Sequence, residues 1–309
     1  MHSARGKILV IRGGAIGDFI LTLPAIAALR SQFPGAHLEV LGYPHIAQLA
    51  LAGGLVDRVQ SIEARALAGF FAVNGAPDPF LADYFSEFDL IISYLYDPDG
   101  IFRANVSRCS PAQFIAGSHR PDEREKIHAS QVYLKPLERL AIFDADPVPR
   151  LTLNSQPSTL NQLALHPGSG SERKNWPEAR WAELLQRLLQ TTQFDLLLTG
   201  GEAEGERLQR LAAALPPTRT RVAQSLPLPE LARKLQLCLA FIGHDSGISH
   251  LSAAVGLPGV VLWGDTAEEV WRPPHKNVVI LRNRGELKAL SVERVMQELA
   301  QLLSRSVKI

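Results

Sequence analysis

Residues 7–33 read KILVIRGGAIGDFILTLPAIAALRSQF: a strand-forming run, a glycine-rich turn and a long apolar segment of helical character. A strand that passes to a helix through glycines opens a βαβ unit and predicts a parallel, doubly wound sheet. The same turn poses a functional choice. A dinucleotide fingerprint needs G-x-G-x-x-G, with an acid near the end of the second strand to hold the ribose. Gly14 and Gly17 stand at the second and third glycine positions, but Arg12 occupies the first and Gly42 closes the second strand, LEVLGY. Asp18 would compete with a pyrophosphate for the field of the helix N-terminus. The turn therefore reads against NAD and leaves Asp18 two roles. One is a capping acid worth about 1 kcal/mol; the other is a carboxylate at a strand end, set to accept a proton.

The pattern continues outward from this unit. Further strands are expected at HLEVL, RVQSI, DLIISYL and QFIAG, with helices over 18–33, 44–52 and 130–143. A polar, Pro-containing stretch, TLNSQPSTLNQ (152–162), interrupts the alternation near residue 157. It then restarts with LALH, FDLLLTG, TRVA, LAFIGHD, GVVLWG and NVVIL, and with helices over 177–191, 202–214, 228–237, 246–255 and 290–304. With 309 residues there is chain enough for two domains, 1–153 and 154–309. Ligands in such sheets lie outside the carboxyl ends of the strands, and those ends carry RGGAIGD, HPGSGSERK, TGGEAE and GHDSGISH.

Composition narrows the function. Lys and Arg number 32 against 31 Asp and Glu, so no charge excess draws the chain to nucleic acid. Cys109 and Cys238 stand far apart and outside any CxxC pair, which argues against metal or redox work and for a reducing cytoplasm. Arg12, Gly13, Gly14 and Asp18 break the first apolar run where a signal peptide needs continuity. No uncharged apolar stretch reaches the roughly 18 residues of a membrane span. Peripheral contact with the inner membrane surface needs no such span.

Two turns in the second half suit phosphate. In HPGSGSERKNWP, Gly168 and Gly170 let the backbone turn, Ser169 and Ser171 add hydroxyls, and Lys174 adds a cation before a helix expected to start at Pro177. The plainer reading is a Gly/Ser turn with a solvated lysine. In GHDSGISHLSAAVGLP a helix opens at Ser246-Gly247, whose free N–H groups suit an anion. Asp245 is either its N-cap or an acceptor for sugar hydroxyls. His250, four residues after Ser246, is expected on the same helix face. Asp97-Pro98-Asp99 and Asp144-Ala145-Asp146 look like metal-binding DxD pairs but sit in turn-like sequence. His244, Asp245 and His250 are spaced so that the two imidazoles do not share a helical face, which discounts a metal there. Trp181 and Trp271 read as packing residues, while Trp176 and Trp263 flank the turns and would shape the site.

The blocks ILVIRGGAIGDFILTLPAIAALRSQFP, LALHPGSGSERKNWP and FIGHDSGISHLSAAVGLPGVVLWGDT resemble, in order, those of glycosyltransferase family 9, the heptosyltransferases. The resemblance implies a GT-B architecture: two Rossmann-like α/β domains facing a central cleft, the first for the acceptor and the second for a nucleotide-sugar. It further implies an inverting, metal-independent transfer with no cofactor, moving a heptose from ADP-heptose onto a lipopolysaccharide-core or related glycan or glycolipid acceptor. Asp18 would be the general base and Lys174 would neutralise the diphosphate. Gly168, Ser169, Gly170, Asp245, Ser246, Gly247 and His250 would line the donor site, and Arg12, Gly14 and Gly17 the acceptor side. Where many members carry a D-x-Q-G-like segment after the fourth strand, this chain has SYLYDPDG. Competing readings are a GT-B sugar-nucleotide epimerase, a transferase with another nucleotide-sugar, a non-catalytic glycan or nucleotide-sugar binder, and the NAD enzyme.

Overall fold

The first strand, β1 (Lys7–Arg12), pairs in parallel with β2 (His37–Gly42) on one side and with β4 (Leu90–Ser93) on the other. The edges are β3 (Arg58–Ser61) and β5 (Gln113–Ala116), giving the order β3-β2-β1-β4-β5. The computed structural model describes residues 6–73, 75–154, 161–283 and 286–306. Residues 155–160, and with them the expected joint near residue 157, lie outside these.

The connecting helices of this sheet are α1 (Ile16–Gln32), α2 (Pro44–Ala52), α3 (Pro79–Ser86), α4 (Ile101–Ser107) and α5 (Ala129–Leu134). Helix α1 is apolar almost all round, and Phe19 to Ile26 are all buried. A helix with no polar face must be covered on every side, and α1 packs against α5 and α2. The expected helix over 130–143 is shorter. Pro136 lacks the N–H that an α-helix needs, so α5 ends at Leu134 and the chain tightens into a 3₁₀ turn, Lys135–Leu140.

The second sheet comprises β6 (Gln162–His166), β7 (Asp195–Gly200), β8 (Thr220–Gln224), β9 (Ala240–His244), β10 (Gly259–Leu262) and β11 (Val278–Leu281). Its order is β11-β10-β9-β6-β7-β8, and every pairing is parallel. Counted from its own first strand this is the doubly wound order 3-2-1-4-5-6, and the first sheet repeats it less the last strand. The helices are α6 (Glu178–Thr191), α7 (Gly205–Ala213), α8 (Leu228–Gln236), α9 (Gly247–Ala254), α10 (Glu268–Trp271) and α11 (Val292–Ser306). In α6 the buried residues Trp181, Leu184, Leu185 and Leu188 fall at i, i+3, i+4 and i+7, the single apolar stripe of a surface helix.

The chain divides into two compact units, Met1–Pro149 and Arg150–Ile309. Each sheet reverses its winding between its first and fourth strands, the place where doubly wound sheets bind ligands. In the first unit this is the carboxyl end of β1 and β4; in the second it is the end of β6 and β9. Among the described residues no helix is long and apolar enough to cross a membrane.

Candidate active site

Asp18 occupies the third position of α1, and its Oδ2 accepts the Ala15 N–H at 3.1 Å. The capping role is therefore realised. It uses one carboxylate oxygen and leaves Asp18 part-exposed at the reversal point of the first sheet. Gly14 is what makes room: its φ is +99°, and a Cβ there would meet Asp18 Oδ2 at 3.1 Å. Gly17 lies in the first turn beside it.

Arg12 does not face a ligand. It is 3% exposed; its Nη1 donates to His119 O at 2.8 Å, and its Nη2 lies 3.7 Å from Asp18 Oδ1. Its guanidinium carbon sits 4.4 Å from the Tyr133 ring centre. The cation thus lies beneath the turn, holding the strand-end loop that contains His119 and backing the carboxylate. The dinucleotide reading meets a steric bar in the same place. A Cβ on Gly42 would fall 2.7 Å from Arg12 O, so the ribose-binding acid of that fingerprint has no room.

In the second unit the two turns expected to bind phosphate follow adjacent strands, β6 and β9. Lys174, in the 3₁₀ turn Glu172–Lys174, places its Nζ 2.7 Å from Asp245 Oδ2. Lys174 is therefore a paired cation that keeps about a third of its side chain in solvent. Asp245 is not the N-cap of α9; Ser246 holds that position with extended backbone. Ser246 is one helical turn before His250, whose N–H donates to Ser246 O at 3.4 Å, and His250 is buried within the first turn. The Ser246 side chain makes no capping bond, and its Oγ is buried without a partner. The Ser249 and His250 N–H groups donate to Ser246 O at 3.2 and 3.4 Å, which leaves the Gly247 and Ile248 amides for another acceptor at the helix N-terminus. Gly247 is the first helical residue there.

The turn after β6 is tightly built. Ser169 Oγ lies 2.8 Å from both Ser171 O and Asn175 Oδ1, so its hydroxyl serves its own loop. A Cβ on Gly168 would fall 2.1 Å from Glu204 Cγ, which explains the glycine, whereas Gly170 faces open space. Pro177 is the N-cap residue, not the first helical one, and α6 begins at Glu178.

His244 ties both turns together, a role the sequence reading missed. Its Nδ1 lies 3.0 Å from Gly168 O and its Nε2 accepts the Trp176 N–H at 2.8 Å. Complete burial pushes its imidazole down to about 3, so it is neutral, with Nδ1–H donating. Burial likewise lowers His166, whose Nδ1 contacts Thr199 O at 2.9 Å.

The remaining candidates take structural places. Asp97 caps α4, accepting from Phe102 N and Arg103 N at 3.0 Å each. Asp146 Oδ1 accepts from Val148 N at 3.0 Å in a turn of its own. Trp176 and Trp263 are buried packing residues rather than walls of a ligand site. Trp176 donates through Nε1 to Leu290 O at 3.0 Å, and Trp263 through Nε1 to Thr266 O at 2.8 Å. Among the described residues no group of three His, Cys, Asp or Glu could hold a metal ion.

Two all-parallel, doubly wound units, one presenting an acid and the other a lysine beside a helix N-terminus at the reversal of its sheet, define an α/β protein with two Rossmann-like units. Comparison with known proteins is specific. Residues 143–300 match the model of glycosyltransferase family 9 (heptosyltransferase). Lipopolysaccharide heptosyltransferase 1 of Pseudomonas aeruginosa is 27% identical over 288 residues, 84% of this chain and 79% of that protein. The glycosyl transferase family 9 structure from Veillonella parvula DSM 2008 matches with a TM-score of 0.80 at 20% identity, over 99% of both chains. The E. coli heptosyltransferase WaaC with ADP matches with a TM-score of 0.76 at 22% identity, over 96% of this chain and 99% of that one. The chain belongs to glycosyltransferase family 9, the heptosyltransferases.

Proposed function

We propose that this protein transfers a heptose from ADP-heptose to a lipopolysaccharide-core or related glycan acceptor, with inversion at the anomeric carbon and without a metal. The observation that carries the reading is the Lys174–Asp245 contact of 2.7 Å, which joins two anion-suited turns at the reversal of the second sheet. A relative in the same family is solved with ADP, and another with an ADP-linked fluoro-heptose.

In this mechanism the second unit holds the donor. The amides of Gly168, Gly170 and Gly247, with the Ser246 hydroxyl, face the diphosphate, and Lys174 neutralises the charge that grows on it as the glycosidic bond breaks. Ser169 and His250 support those turns from within, and Asp245 orients the lysine and reaches the sugar. Asp18 of the first unit takes the proton of the acceptor hydroxyl as its oxygen attacks the anomeric carbon. Gly14, Gly17 and Arg12 give Asp18 its place on the acceptor side. A positioned base supplies roughly 10²–10⁴-fold, and electrostatic support of the leaving group a further factor of about 10²–10³ per donor. No cofactor enters the scheme. A lipid-linked acceptor would bring the protein to the inner face of the cytoplasmic membrane.

The test is calorimetric titration with ADP, UDP, GDP and NAD in the presence of EDTA. ADP should bind in preference, and Lys174→Ala should lose it. A preference for UDP or GDP would keep the transferase and change its donor. Conversion of nucleotide-sugar with no acceptor would make the protein an epimerase, and binding of NAD alone would overturn the reading.

A further inference from the structure

The turn that carries Lys174 is held from outside. Arg207, on α7, is largely buried, with its side chain 15% exposed. Its Nη2 donates to both carboxylate oxygens of Glu172 at 2.8 Å, and its Nη1 donates to Pro167 O at 3.2 Å. Its Nε lies 3.7 Å from Glu178 Oε2. Arg210, one turn along α7, takes both oxygens of the same Glu178 at 2.9 and 2.8 Å. These contacts grip the loop at its start (Pro167), in the turn that bears Lys174 (Glu172), and at the helix that follows (Glu178).

Glu172 is 81% exposed at its side chain and stands two residues before Lys174. Its carboxylate, held below the usual range first by Arg207 and then by a hydrogen bond from Asn175 of the same loop, is the point at which α7 takes hold of the turn. The loop needs that hold. Gly168 and Gly170 make its backbone permissive, and fixing a residue costs about 1–2 kcal/mol of conformational entropy. Lysine adds a long flexible stem. The planar guanidinium reaches the carboxylate from one nitrogen and the carbonyl from another in a fixed fork, a geometry that a single ammonium nitrogen lacks.

We propose that Arg207 is a positioning residue for nucleotide-sugar binding: through Glu172 and the Pro167 carbonyl it sets the turn that presents Lys174, without touching the ligand. The inference rests on the reading of Lys174 as the diphosphate cation.

The experiment is calorimetry with ADP on the full chain and on Lys174→Ala, Glu172→Ala, Arg207→Glu and the double exchange Glu172→Arg/Arg207→Glu, with thermal unfolding recorded for each. Glu172→Ala removes only an exposed side chain and keeps the test valid if Arg207→Glu folds poorly. Arg207→Glu should weaken ADP about tenfold and Glu172→Ala about threefold, an order suited to a partly exposed bidentate pair. The double exchange restores the 172–207 pair but not the bond to Pro167 O, so it should recover part of the loss of Arg207→Glu, which a role in overall folding alone would not produce. If Lys174→Ala loses ADP while Glu172→Ala and Arg207→Glu bind it as the unaltered protein does, the positioning role is wrong and the donor site stands. If Lys174→Ala also binds ADP unchanged, both the donor-site reading and this inference fall.

Discussion

Lys174 Nζ lies 2.7 Å from Asp245 Oδ2, bringing together residues 71 positions apart in the chain. The contact spans the carboxyl ends of β6 and β9, the strands between which the second sheet reverses. Asp245 is almost buried, whereas Lys174 keeps a third of its side chain in solvent. The pair is thus lopsided: the carboxylate depends on the lysine, and the lysine remains open to an anion.

That asymmetry predicts separable effects. Lys174→Ala should weaken ADP binding by about 10–100-fold, the loss of one charge-assisted contact to a diphosphate. It should also cost roughly 1–2 kcal/mol of stability, because a nearly buried carboxylate loses its partner while the lysine was itself part-solvated. Urea unfolding and calorimetry on the same preparation check both. Unchanged ADP affinity would remove Lys174 from the donor site.

Burial at His244 predicts a pH dependence. Its folded imidazole titrates at about 3, against an ordinary value of 6.5. Below pH 6.5 the unfolded chain takes up a proton that the folded one refuses, so stability falls as the pH drops from 6.5 toward 3. The slope approaches about 1.4 kcal/mol per pH unit from this group, and His166, also lowered by burial, adds in the same direction. His244→Gln keeps a donor for Gly168 O and an acceptor for the Trp176 N–H while removing the titration. Urea midpoints from pH 7 to 5 should fall less steeply in that variant; equal slopes would show that His244 is not held neutral.

The same contrast explains what could be read from sequence. KILVI and LALH are continuous apolar runs, and strands covered on both faces leave that mark. Asp18, Lys174 and Asp245 could be picked out because each follows such a run at a glycine-rich turn. Helix α4 and the 3₁₀ turn Arg65–Phe71 carry no comparable signal, being seven residues each and interrupted in the latter by Gly69. His244, Arg207 and the bed of Arg12 were hidden for another reason. Their partners are largely backbone carbonyls (Gly168, Pro167, His119), or a glutamate 35 residues away in Glu172. A carbonyl has no side-chain signature, so only the folded chain discloses what it binds.

Arg12 supplies a prediction about the first unit. Removing a buried guanidinium strands the His119 carbonyl and withdraws the cation packed on Tyr133. Arg12→Met should therefore cost about 2–4 kcal/mol, more than a surface arginine would. It should also lower transfer, because Asp18 loses the group behind it. Arg12→Lys, which keeps charge but not the fork, should fall between the two. A thermal midpoint unaltered by Arg12→Met would show that the guanidinium supports nothing.

Asp18→Asn separates the two roles of that residue. The Ala15 N–H now donates to Asp18 Oδ2 at 3.1 Å, and an amide oxygen can accept the same bond. Helix α1 should therefore keep its start, with a stability change below about 1 kcal/mol. ADP binding should stay within about twofold, since the residues assigned to the diphosphate all belong to the second unit. Transfer should fall by about 10²–10⁴-fold, because an amide cannot take the acceptor's proton. Three measurements on one protein decide the matter: unfolding, ADP calorimetry and turnover of ADP-heptose with acceptor. Near-normal turnover would leave Asp18 as a capping residue alone, and the base would have to be sought elsewhere. Lost turnover with intact folding and intact ADP binding would place the chemistry at its carboxylate.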